Sequence, residues 1–145
     1  MLALTKKTGY GIIAITYLAR IDGQGVASAL EIAELFGVPA SLLMNVLKQL
    51  AAAGYVESVR GARGGYRLAR QLDKITLADL VEAMEGPVRL SDCLTDSANN
   101  EDECTCQMMA CCPISDPVHR VQRKLNDFLK KITLAEIVET TGAAK

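Results

Sequence analysis

A mainly α fold class follows from three features of this 145-residue sequence. Apolar residues recur at helical spacing over most of its length. Only one segment, YVESVRGARGGYRLAR (55–70), combines strand-forming residues with glycine. Half the residues are apolar, yet only six are aromatic, a balance that suits packed helices rich in Leu, Ile, Val and Ala.

The first helix is expected from near Thr5 to Ile21, with Ile12, Ile15, Leu18 and Ala19 on one face and a stop at Asp22-Gly23. Gly11, Thr16 and Tyr17 interrupt its apolar run, and no cleavage pattern follows, so it reads as an amphipathic helix and not a signal peptide. Ser28, with Glu31 three residues on, has the pattern of a capping box opening a short helix. Ile32, Leu35 and Phe36 form its expected apolar face, and Gly37 ends it. After Gly37-Val38-Pro39, Leu43, Val46, Leu47 and Leu50 recur at i, i+3, i+4, i+7, and Gly54 closes this third helix. A short helix, a tight turn and a second helix make a helix-turn-helix.

Tyr55, Val56 and Val59 then predict one strand and Tyr66 and Leu68 another, with the glycines at 61, 64 and 65 in the turn between them. A β-hairpin directly after a helix-turn-helix is a wing. Thr76 with Asp79 caps a further helix through Met84, ending at Gly86-Pro87. Residues 87–115 are polar, acidic and cysteine-rich and lack periodicity, so they are expected to form a loop. Val118, Val121, Leu125, Phe128 and Ile132 are spaced 3, 4, 3, 4, an a/d seam on a long helix. ITLAEIVE (132–139) echoes ITLADLVE (75–82), which two similarly capped short helices suffice to explain. The expected architecture is a winged helix-turn-helix with a β-hairpin wing and a long C-terminal dimerisation helix. It divides into a DNA-binding region 1–74, a connecting helix with a cysteine-rich loop 75–115, and a dimerisation helix with a short terminal helix 116–145.

Charge follows the same division. Residues 1–70 hold eight Lys/Arg against four Asp/Glu (+4), 71–115 two against nine (−7), and 116–145 six against four (+2). A basic front suits a polyanion. On the third helix, Ser41, Leu42, Met44, Asn45 and Lys48 are the positions placed to enter a major groove, because recognition helices enter N-end first. Asn45 can pair with adenine, and Lys48 suits phosphate or guanine. Arg60 and Arg63 at the wing tip can reach a minor groove, and Lys6 and Lys7 can add phosphate contacts. The 118–132 seam would pair two copies and so present two half-sites of operator DNA.

Four of the five cysteines (104, 106, 111 and 112) fall within ECTCQMMACCP (103–113), beside Glu101, Asp102 and Glu103, and Cys93 lies upstream. Thiolates crowded against carboxylates repel one another, and a bound cation removes that repulsion. The spacing lacks the paired CxxC of structural zinc sites. Iron–sulfur binding, zinc binding, metal-free thiol sensing and inert cysteines all remain open on spacing alone. No apolar stretch reaches the roughly 20 residues of a membrane span, and a cytoplasmic protein with reduced thiols is expected. An enzyme is not expected: the lone His119 has no evident nucleophile partner, and there is no phosphate loop or paired-carboxylate site.

Over nearly its whole length the chain resembles the bacterial winged-helix regulators that sense iron–sulfur clusters, the IscR/NsrR-like transcription factors, and especially the regulators of the SUF cluster-assembly operon. The stretches that carry the resemblance are LTKKTGYGI, IAELFGVPASLLMNVLKQLAAAGYVESVRGARGGYRLAR, ITLADLVEAMEGPVRLSDC and CCPISDPVHRVQRKLNDFLKKITLAEIV. The resemblance implies a homodimer on operator DNA with a cluster, usually 2Fe–2S, held by three loop cysteines. Cys93 matches the family's cysteine after GP-x-x-L, and Cys112, next to Pro113, matches its last. Cys106, five intervening residues before Cys112, matches the middle position, with Cys104 as rival. The fourth ligand is open among Cys104, Cys111, His119 and an acidic residue. Gly9 stands where many relatives carry an acid, Ser115 where one branch has a histidine ligand, and Ala62-Arg63 where Pro-Gly is usual in the wing. Two other functions fit the residues: a thiol- or nitric-oxide-responsive switch using Cys111 and Cys112, and a cluster carrier in iron–sulfur assembly.

Overall fold

A computed structural model describes residues 5–21, 25–91 and 112–142. Helix α1 (Lys6–Arg20) is capped by Thr5, whose hydroxyl accepts from the Lys7 N–H at 3.2 Å. Its buried face is Thr8, Gly11, Ala14, Ile15 and Leu18, one step round from the expected one, so Ile12 and Ala19 sit at its edge. Leu80, Met84 and Val46 pack over Gly11 on this face, where a Cβ would find ordinary van der Waals contact at 3.6–3.8 Å.

Helix α2 (Ala29–Phe36) starts at Ser28, whose Oγ accepts from the Glu31 N–H at 3.1 Å. Only half of the expected capping box forms, since the Glu31 carboxylate instead accepts from the Tyr17 hydroxyl at 2.7 Å. That bond ties α2 to α1 and raises the Tyr17 pKa by stabilising the neutral phenol as donor. The buried face is Ala29, Ile32 and Ala33, whereas Leu35 (60 % exposed) and Phe36 (42 %) look outward, contrary to expectation. Phe36 packs edge-to-face on Tyr17, with centroids 5.9 Å apart. Gly37, at φ 63°, takes the left-handed cap, and the Val38 N–H reaches back to the Ala33 carbonyl at 2.9 Å. Helix α3 (Ala40–Ala52) then buries Leu43, Val46, Leu47 and Leu50, as the periodicity predicts.

Strands β1 (Val56–Val59) and β2 (Gly65–Leu68) pair antiparallel with Val56 opposite Leu68 and Val59 opposite Gly65. Gly65 therefore belongs to β2, not to the turn. Ala27 adds a single bridge to Tyr66 through bonds of 3.1 and 2.8 Å, a one-residue third strand. A Cβ on Gly65 would lie 2.3 Å from the Ala27 carbonyl oxygen, so only glycine permits this approach.

A 3-10 turn (Leu72–Lys74) leads to α4 (Leu77–Glu85), where Thr76 and Asp79 form the full reciprocal capping box. Helices α5 (Ser115–Lys131) and α6 (Leu134–Gly142) complete the described chain. One core joins Ile15, Leu18, Ile32, Leu43, Leu47, Leu50, Val56, Ile75, Leu80 and Leu134, so the winged helix, α4 and the start of α6 share it. The two echoed segments meet directly: the Leu77 N–H donates to the Ile132 carbonyl at 2.8 Å and the Leu134 N–H to the Ile75 carbonyl at 2.9 Å. Thr76 and Thr133 thus face each other across an antiparallel bridge, and each caps the helix that follows it.

Helix α5 is the exception to this burial. Gln122 is its one buried residue, while Val121 (55 %) and Phe128 (60 %) are exposed in the single chain.

Gly65→Ala should lower stability by about 1–3 kcal/mol, the usual cost of overpacking a fitted contact. Thermal unfolding by circular dichroism checks this, and an unchanged melting temperature would contradict the close approach.

Candidate nucleic-acid interface and cysteine region

Every sequence-predicted DNA contact lies on the surface: Ser41, Leu42, Met44, Asn45 and Lys48 on α3, Arg60 and Arg63 on the hairpin, and Lys6 on α1. Thr5, Lys6, Lys7, Tyr10, Leu42, Asn45, Val46, Lys48 and Gln49 line one cavity of about 760 Å³ between the α1 N-terminus and α3. Lys6 is thereby brought beside Leu42, Asn45 and Lys48. Pro39 gives α3 no side-chain cap, and the first-turn N–H groups of a helix have no partner within it.

The wing tip spans 60–64, with Gly61 at φ 131° and the Gly64 N–H donating to the Gly61 carbonyl at 3.0 Å. A Cβ on Gly64 would meet the Val59 carbonyl oxygen at 2.5 Å. These glycines fold the tip tightly and leave Arg60 and Arg63 exposed on it. Below the tip, Arg67 is paired with Glu57 at 2.5 Å and so is less free than the other two.

Lys7 differs from Lys6. Its ammonium donates to the Met84 carbonyl, which turns it into an anchor between α1 and α4. Glu85 completes that anchor: the Thr5 hydroxyl donates to its Oε1, and the Thr8 hydroxyl donates to the same oxygen at 2.8 Å. The Thr5 bond, aided by Thr8 and the nearby Lys7, holds the Glu85 carboxyl below its ordinary pKa. Sequence reasoning missed Glu85 because an acid at a helix end is ordinarily a solvated one. Its partners lie 77 and 80 positions away.

The seam residues Val118, Val121, Leu125 and Phe128 share α5, with Ile132 just past its last turn. Among the described residues they form no buried cluster of their own, and the basic residues Arg120, Arg123 and Lys124 alternate with them along the helix. Helix α5 is thus amphipathic, with Val118 and Leu125 half-buried and Val121 and Phe128 exposed between solvated charges.

Gln122 is a second residue that sequence reasoning missed. Its Oε1 accepts from the Leu90 N–H at 2.8 Å, and its Nε2 donates to the Val88 carbonyl at 2.6 Å and the Asn126 Oδ1 at 2.9 Å. One side-chain amide thus fastens the 88–90 strand of backbone to α5, as a neighbouring β-strand would. The only signal in sequence is an amide pair at i, i+4 (Gln122 and Asn126) beside the apolar seam.

Cys93, Cys104, Cys106 and Cys111 lie outside the described residues. Cys112 is a half-buried free thiol, and its carbonyl accepts from the Ser115 N–H at 3.3 Å at the start of α5. His119 is exposed on α5. Among the described residues no three His, Cys, Asp or Glu side chains converge as metal donors, so any ligand set that includes Cys112 draws on the undescribed segment.

Residues 4–140 match the Rrf2 family, described as iron-dependent transcriptional regulators. Among solved structures, CymR, the global cysteine regulator of B. subtilis, superposes with a TM-score of 0.72 at 27 % identity over 97 % of this chain and 98 % of its own. IscR of T. potens does so at 0.69 and 29 %, covering 97 % of this chain and 88 % of its own. An oxidised form of Staphylococcus aureus CymR gives 0.69 and 26 %, covering 95 % and 97 %. The winged-helix reading and the resemblance to IscR-like regulators are both supported by these matches. Among the described residues no helix is long and apolar enough to cross a membrane.

Two outcomes follow from the anchors. Gln122→Leu leaves the Leu90 N–H and the Val88 carbonyl without their partner and should cost about 1–3 kcal/mol in urea unfolding; a variant as stable as the parent would remove the clamp. Because the folded pKa of Glu85 lies below its ordinary value of 4.5, its stabilisation is present above that value and lost as pH falls through the folded one. Glu85→Gln should therefore melt below the parent near neutrality, and the two curves should converge in acid.

Proposed function

The chain belongs to the Rrf2 family of transcriptional regulators, which are not enzymes, and from that premise we propose that it is a homodimeric operator-binding regulator that senses an iron–sulfur cluster. One observation carries the proposal. The cysteine-bearing segment is bounded on both sides by residues fastened to the exposed-seam helix. Gln122 grips the backbone at 88–90, just before Cys93, and Cys112 leads directly into Ser115. Anything that binds among those cysteines therefore pulls on α5, the helix whose apolar stripe suits a second copy.

Cys93, Cys106 and Cys112 would hold the cluster, with Cys104 the first choice for the remaining position and Cys111 or His119 the others. The donor chemistry fits: soft thiolates suit iron–sulfur clusters, and Cys112 precedes a helix N-terminus, the end of the helix dipole that favours an anionic group. The cationic core of a cluster would offset the mutual repulsion of the thiolates that hold it, in a segment where residues 71–115 already hold two Lys/Arg against nine Asp/Glu. The name IscR among the similar structures, and the iron-dependence in the family's description, support this reading. Cluster genes are the targets we assign to it, by analogy with the SUF-operon regulators that it resembles.

DNA binding is supported by the exposed face of α3, by Lys6 and Lys48 beside it, which have no acidic partner among the described residues, and by the wing arginines. Two such faces related by the α5 seam would address two half-sites.

A thiol-responsive regulator of the same fold is the second reading. CymR stands among the similar structures, one of them in an oxidised form, and Cys111 and Cys112 are adjacent.

Anaerobic purification with iron and sulfide assays decides between them. A coloured protein carrying both, whose promoter affinity changes about 5–150-fold on cluster loss, is the expected result, the usual range of allosteric coupling. An iron-free product whose DNA binding responds only to thiol oxidation would install the second reading. Replacing both Arg60 and Arg63 by Ala should weaken DNA binding and reduce the salt slope by about two; an unchanged slope in a gel-shift salt series would remove the wing from the interface.

A further inference from the structure

The exposed face of α3 carries a feature that phosphate attraction does not explain. Leu42 is 49 % and Met44 44 % exposed, and the helix has no cation before Lys48. At about 100° per residue, Ser41, Asn45 and Lys48 run down the middle of that face, with Leu42 on one flank and Met44 on the other. The opposite side is filled by Leu43, Val46, Leu47 and Leu50, so the core does not call for either flanking residue. Leu42 also contributes to the cavity of about 760 Å³ whose rim holds Lys6 and Lys48. Neither lysine is paired with an acid among the described residues.

One exposed leucine is ordinary on any protein. Two large apolar side chains flanking an asparagine, between free ammonium groups, match a particular surface. Phosphates meet the lysines, and the apolar group that a major groove offers is the thymine C5-methyl. Guanine is usually read by Arg or Lys through O6 and N7, and adenine by Asn through N6 and N7. The first two turns of α3 supply Asn45 and no arginine.

We propose that Leu42 and Met44 are specificity-determining residues that pack on thymine methyl groups, so that the base pairs under α3 in each half-site are A·T-rich, with Asn45 on an adenine. This rests on the DNA-binding reading above. The wing works in the same direction, because A·T-rich duplex has a narrow minor groove that attracts arginine, and Arg60 and Arg63 stand at the tip.

The test uses the full-length protein and a random-sequence duplex library, purified and selected without oxygen. The best duplex is then remade with deoxyuridine replacing one thymine at a time, which deletes a methyl and leaves the hydrogen-bonding edge intact. A·T enrichment is expected, with at least one position per half-site where the swap weakens binding about three- to fivefold, the worth of one buried carbon. Leu42→Ala or Met44→Ala should abolish the loss at its own position. The deoxyuridine measurement on the parent protein stands even if a variant folds poorly. Retained binding with a G·C-rich core, or with no sensitivity to any methyl, overturns the inference while leaving DNA binding intact. Variants that dissociate the dimer in sedimentation while the methyl sensitivity persists would reassign these side chains to subunit contact and overturn it too. Failure to retain any duplex would instead defeat the DNA-binding reading, and this one with it.

Discussion

Two backbone hydrogen bonds, Leu77 N–H to Ile132 and Leu134 N–H to Ile75, hold the long helix to the rest of the chain. They close a path that leaves the core after Met84 and returns at Leu134, both of them buried. Without that closure the main attachments of α5 among the described residues would be its packing on α4 and the amide of Gln122. This 17-residue helix has a single buried residue, itself polar, and its Val118, Leu125 and Leu129 are only half-buried. The orientation of α5 relative to α3 is therefore set jointly by its packing on α4, the 75–77 and 132–134 junction and the 88–90 clamp. The junction and the clamp flank the cysteine-bearing segment in the sequence.

A similar economy holds at the other end. The α1 N-terminus could splay from the body, but Glu85 gathers the hydroxyls of Thr5 and Thr8, and Lys7 reaches the Met84 carbonyl. All three contacts end on the last turn of α4. Lys6, left over from that cluster, faces the α3 cavity. The exposed face of α3 and the helix that precedes the cysteine segment are thus joined in two ways, by this hydrogen-bonded cluster at the last turn of α4 and by the shared core of Leu80, Met84 and Val46 beneath it.

Much of this was legible in the sequence because it is local. Leu43, Val46, Leu47 and Leu50 announce a helix face by spacing alone, Thr76 and Asp79 announce a cap, and the wing follows from strand formers around glycines. The failures are equally physical. Leu35 and Phe36 obey the helical period yet lie outside, because α2 is short and its inner face is already filled by Ala29, Ile32 and Ala33. Glu31 fits a capping box, but a phenol from another helix competes for its carboxylate. Gln122 and Glu85 act across separations of 32 to 80 residues, which no local pattern encodes. The echo of ITLADLVE in ITLAEIVE looked like two similar caps and is also a pairing, since each copy lends its threonine to the same bridge.

That pairing has a consequence for how such a chain can change. The stretch between Thr76 and Thr133 starts and ends at one bridge on the body, so the part of it beyond α4 resembles a cartridge clipped into a fixed holder. The bonds that make the holder, at 75–77 and 132–134, involve no residue of the cysteine-bearing part. CymR, a global cysteine regulator, and IscR both superpose on this chain at under 30 % identity. A scaffold that keeps its mounting and exchanges its detector is a physical route to that diversity.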